Sequence, residues 1–263
     1  MSATTSIRPG AGATNAAARD RRPGFGRLVA VELRKMVNTR SGFWVPIGVA
    51  AVTLLVAIIA SVNHHGRDAT FAHVLHAVVG PCAYLLPVMG VLLICGEWSQ
   101  RTKLTTFTLV PSRRRVLTAK LGASWIVSTI AVMVCLLLTV ISASVLGHPV
   151  GGTGSLSWQV IGQTWVYLAA TMVIGLAFGS ALLVSAPAII TYLLLPVIWA
   201  TIAGNISALA GVAKWLDFGQ TFSPLAQQTM SGAQWAHALV TFAVWAGIPL
   251  LIGARRIGRG DLD

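Results

Sequence analysis

The chain has 263 residues, of which 55% are hydrophobic and only 10% charged, and its mean hydropathy is +0.76. A soluble domain carries about 25% charged residues, so that class is excluded. The net charge of +12 reads as membrane topology and attraction to anionic lipid, with nucleic-acid binding as the weaker reading.

The apolar residues fall in blocks of about 20, the length that crosses a ~30 Å hydrocarbon core as a helix. They do not alternate as barrel strands would, so the predicted fold is all-α with six transmembrane helices. The predicted spans are 43–62, 74–96, 121–146, 159–184, 186–208 and 234–254. They form one six-span domain over residues 25–254, flanked by tails 1–24 and 255–263.

Residues 1–24 are polar, small and Arg-containing, without the apolar stretch of a cleavable signal peptide. They read as a disordered cytoplasmic tail, and their poverty in acids leaves a transit peptide open. Residues 25–40 follow a helical period. Phe25, Leu28, Val29, Leu33, Met36 and Val37 fall on one arc, with Arg27, Arg34 and Asn38 opposite. This pattern predicts an amphipathic helix lying in the membrane interface. Glu32 lands in the middle of the apolar arc. A carboxylate there needs a partner: either a base of the loop after span 2 or of a neighbouring helix end, or water reached by snorkelling.

The first outer loop holds His64, His65, Asp68 and His73, with His76 beyond it. A metal or acid–base site and plain loop histidines are both open readings. Pro81, Pro87 and Pro196 can kink spans 2 and 5. Cys82, Cys95 and Cys135 lie in apolar blocks without metal-type spacing and read as packing residues. In span 4, Gly175 and Gly179 form a G-x-x-x-G pair that permits close helix approach. Asn205 near the end of span 5 reads as a local hydrogen-bonding group. Residues 209–233, with Trp215, Phe218, Phe222 and Pro224, suit an interfacial or re-entrant segment against lipid headgroups.

Basic residues set the orientation. Eight precede span 1, six lie between spans 2 and 3, and three follow span 6, leaving only Arg67 and Lys214 on the other side. Six spans place the rich side, and both termini, in the cytoplasm.

The segment from Glu97 to Lys120 carries a Glu at the end of span 2 and a Thr- and Leu-rich stretch from Thr102 to Leu109. The turn Pro111-Ser112-Arg113 follows, and Lys120 stands at the start of span 3. Leu104, Phe107 and Val110 recur at spacing three, so a short helix would present one apolar edge. This order resembles the cytoplasmic coupling region of ABC-2-type exporter permeases. Glu32-Leu33-Arg34-Lys35 with Thr39-Arg40 is similar to that family's interfacial helix, and Ser223-Pro224 fits its long last outer loop. The resemblance covers roughly residues 25–254. Gln100-Arg101-Thr102 stands where many members have Gly.

The resemblance implies a transport subunit rather than an enzyme, working across the cytoplasmic membrane, and a mostly apolar pathway would favour a lipophilic substrate. A separate ABC ATP-binding subunit, holding ATP and Mg, would dock on Arg101, Thr102, Leu104, Phe107, Leu109, Pro111 and Arg113. Glu32 and Glu97 would serve structural ion pairing. No catalytic, cofactor or metal site is expected on this chain. A homodimer or a pairing with a homologous permease is implied, through spans 1 and 5. The chain contains no G-x-x-x-x-G-K-[ST] phosphate loop, and no predicted span holds a deep charge of the kind ion-coupled carriers use. The competing expectations are a polytopic membrane enzyme using the outer histidines and Asp68, and a non-catalytic scaffold.

Overall fold

In a computed structural model of the chain, residues 24–63, 71–99, 113–145 and 157–259 are described, and every regular element among them is helical. Helix α1 (Phe25–Asn38) passes into α2 (Arg40–Asn63) through Thr39 alone. Thr39 Oγ1 accepts the Gly42 N–H at 2.9 Å and so caps α2. The corner is tight: a side chain at Gly42 would run into the Met36 carbonyl.

Helices α3 (Phe71–Leu85) and α4 (Pro87–Ser99) form one rod broken at Leu86. The break follows from Pro87, which has no N–H to give the carbonyl four residues back. That carbonyl, of Ala83, accepts the Tyr192 hydroxyl at 3.3 Å instead. A backbone group freed within an apolar rod thereby finds a partner on a neighbouring helix.

Helix α5 (Arg113–Val145) precedes α6 (Trp158–Leu182), which Ser157 caps by accepting from Gln159 N at 3.2 Å. α6 stops at Leu182, two residues before the expected span end, because Leu183 turns left-handed at φ 60°. Its N–H bonds the Gly179 carbonyl and closes the helix. Helix α7 (Ser185–Asn205) ends three residues short of the predicted 208, where Ile206 goes extended. A segment with a 3-10 turn, α8 (Ala210–Leu216), α9 (Phe218–Phe222) and a second 3-10 turn leads to α10 (Gly232–Phe242). A π-helical turn over Ala243–Gly247 joins α10 to α11 (Ile248–Arg259).

Six of these rods are long and apolar enough to cross a membrane: Arg40–Ala60, Phe71–Gly96, Arg115–Ser144, Trp158–Leu182, Ser185–Asn205 and Gly232–Arg256. The rods α3–α4 and α6 are 72% buried over their most apolar windows, against 22% for α2 and α7. The first two are therefore the interior, and α2 and α7 flank them. The outer faces of α2 and α7 expose Leu54, Leu55, Ile58 and Ile59, and Ile190, Leu194, Val197 and Ile198. Water does not tolerate such continuous apolar faces, whereas lipid does.

Close packing of α4 on α6 uses glycine from both sides. A methyl at Gly90 would lie 2.8 Å from the Met172 carbonyl, and one at Gly175 would collide with the backbone of Pro87. A methyl at Gly179 would lie 3.0 Å from the Val91 carbonyl. The G-x-x-x-G pair therefore faces the interior of the bundle.

Candidate functional site

The basic ends of the rods meet α1. Its fully buried residues are Val29, Glu32 and Met36, so the buried line runs through the carboxylate. Phe25 and Val37, at the edges of the predicted apolar arc, stay about half exposed. Glu32 Oε2 accepts Lys120 Nζ at 2.7 Å, with both side chains 5% exposed. Glu32 Oε1 accepts Lys35 Nζ at 2.8 Å. Lys120 also donates to the Leu93 carbonyl at 3.2 Å. One ammonium thus ties α1, α4 and α5 together, eight residues after Ser112, where the polar loop ends. Val29 packs on Gly122 of α5 beside it. In a low-dielectric setting a paired and hydrogen-bonded charge holds its place firmly, because losing a partner is costly.

The residues expected to meet an ATPase fall between α4 and the start of α5 in the sequence. Arg101, Thr102, Leu104, Phe107, Leu109 and Pro111 lie outside the described residues. Arg113 opens α5 and Glu97 sits in the last turn of α4, and both side chains are outside the described ones. Of the residues around the first predicted loop, His64, His65 and Asp68 are also outside them. Among the described residues, no three His, Cys, Asp or Glu side chains converge on a metal position.

At the far end, residues 206–231 do not lie flat. They return into the bundle as a hairpin whose Asp217, Phe218, Thr221, Phe222, Leu225 and Ala226 are buried. Thr241 Oγ1 donates to the Trp215 carbonyl at 2.6 Å, and Trp245 Nε1 to the Leu216 carbonyl at 2.9 Å. These are end carbonyls of α8, which need partners when withdrawn from water. Trp245 lies ~20 Å along the rod from Gly232 at 1.5 Å per residue. The hairpin tip therefore reaches about halfway along the 25-residue rod Gly232–Arg256. Phe222 stacks on Tyr167 at 5.8 Å. With its amide oriented to suit its neighbours, Gln163 donates to the Gln228 carbonyl at 2.8 Å and accepts from Met230 N at 3.0 Å.

Asp217 lies outside the predicted spans, which hold no deep charge, but the hairpin carries its side chain inward, where it is 5% exposed. Its Oδ1 accepts Gln220 N at 2.9 Å as the cap of α9, and its carbonyl accepts the Thr221 hydroxyl at 2.8 Å. No cation pairs with it among the described residues. The signal that could have found it is the sequence Leu216-Asp217-Phe218 between two short apolar turns, an N-cap residue flanked by core residues.

Two grooves open on the sides of the bundle. One of about 540 Å³ runs along α6, α7 and α11 from Arg256 to Leu216. The other, of about 320 Å³, lies between α5, α6, the hairpin and α10. Both are walled almost wholly by apolar side chains. Compared with known proteins, the sequence matches no protein-family model and no curated protein.

Proposed function

We propose that the chain is the transmembrane subunit of an ATP-driven exporter, working with a separate ATP-binding subunit and a second permease copy. In this reading the six rods cross the cytoplasmic membrane with both termini inside. α1 lies in the inner interface, and the stretch Thr102 to Leu109 is the coupling helix on which the ATPase docks. The substrate class is lipophilic.

The observation that carries the reading is the Glu32–Lys120 ion pair with its bond to the Leu93 carbonyl. The loop 100–112 joins α4 to α5, and Lys120 locks both helices to α1 just beyond it. A push on that segment would therefore be passed to three elements together. The returning hairpin gives the far end a second jointed element that can respond.

The chain purified from its own membranes is expected to bring with it a protein that has a phosphate-loop motif and ATPase activity. Phe107→Glu with Leu109→Glu is expected to abolish that association while leaving membrane insertion intact. An association that survives the double substitution places the docking surface elsewhere.

A further inference from the structure

We infer that the groove between α6, α7 and α11 binds one anionic phospholipid, with its phosphate on Arg256 and an acyl chain along the groove wall. Arg256 lines the basic end of the groove. One of its N–H groups donates to the Ala181 carbonyl at 2.9 Å. A guanidinium carries five such donors in a rigid fork, and the residue is exposed. One bond thus holds the guanidinium in place, and its remaining donors on this exposed residue suit a phosphate. Arg255 adds a second exposed cation beside it.

Beyond Arg256 the groove turns wholly apolar, walled by Phe178, Leu182, Leu195, Trp199, Trp245 and Ile252. Its length fits one leaflet. From Arg256 to Val244 the rod rises ~18 Å, against ~15 Å for half of a ~30 Å hydrocarbon core. The π-helical turn Ala243–Gly247 supplies Val244 and Trp245 to its inner end, and such turns are frequent at functional sites. A cation at the level of the headgroups above one leaflet's depth of apolar wall matches a charged phospholipid better than a neutral one.

The test uses bromine on the acyl chain, which quenches indole fluorescence on contact. The chain is reconstituted in phosphatidylcholine vesicles containing a minor fraction of brominated phosphatidylglycerol, or the same fraction of brominated phosphatidylcholine. Subtracting the Trp199→Phe variant isolates the signal from the groove. The expected result is about a fivefold preference for phosphatidylglycerol, the ratio equivalent to ~1 kcal/mol for an Arg near the bilayer surface. Arg256→Gln is expected to remove the preference, and Arg256→Lys, which keeps the charge, to retain most of it. Equal quenching by the two lipids in the wild type overturns the proposal, as does a preference that survives Arg256→Gln. Absence of quenching by either lipid also overturns it, because the groove is then covered by protein, such as a second copy. The wild-type ratio decides the case by itself if Arg256→Gln fails to fold.

Discussion

Glu32 is held by two lysines of unequal standing. Lys35 shares its helix and is partly exposed, at 36% for the side chain, whereas Lys120 is 88 residues away and as buried as Glu32 itself. The exposed partner contributes little, since surface pairs within a helix are worth ~0.5 kcal/mol. The buried one decides the geometry. Lys120→Met is expected to cost about 3–5 kcal/mol, because it strands a buried carboxylate. Adding Glu32→Leu to that variant is expected to recover most of the loss, as thermal unfolding in mild detergent will read. A double variant no better than Lys120→Met removes the pair from its central place. Asp217 calls for a different argument, because its Oδ1 caps a short helix. Asp217→Ala is expected to lose about 1 kcal/mol, and Asp217→Asn, which keeps an oxygen for Gln220 N, to lose almost none. If Asn is as damaging as Ala, the carboxylate's charge or proton is what matters, and the cap is incidental.

Among the elements, α6 is the one on which the bundle is built. α4 and α11 both approach it backbone to backbone, at Gly175 and Gly179 on one side and at Ser180 opposite Gly253 on the other. Gly175→Ala is expected to cost about 1–3 kcal/mol by overpacking. Gly162→Ala in the same helix, with open space around its Cα, is expected to gain about 0.5–1 kcal/mol from helix propensity. The two melting temperatures, measured together, separate packing from propensity. The six apolar rods were legible in the sequence because an apolar block of span length is a local signal. So was α1, from its period. The depth of the hairpin was not legible. Trp215, Phe218 and Phe222 would look the same against headgroups as against Tyr167 and Trp245, and only long-range pairing tells the two apart. The same holds for Glu32: its need for a partner is written in α1, but the choice of Lys120 depends on how α5 crosses α1. The docking residues 101–111 were named from resemblance alone, and they lie outside the described residues.

For the molecule as a whole, the proposal is a mechanical one. Force enters at the basic end through the loop 100–112, passes through the Lys120 clamp, and reaches the hairpin along α5 and α6. The described cysteines, Cys82, Cys95 and Cys135, are all buried, which leaves a thiol placed at the exposed Gln227 as a clean reporter. The decisive measurement is labelling of Gln227→Cys by a membrane-impermeant maleimide in native-membrane vesicles, with and without ATP and with the proton gradient collapsed. The account predicts that ATP changes the labelling rate, that Phe107→Glu with Leu109→Glu abolishes the change, and that collapsing the gradient does not. A labelling rate that ignores ATP and follows the proton gradient would contradict it.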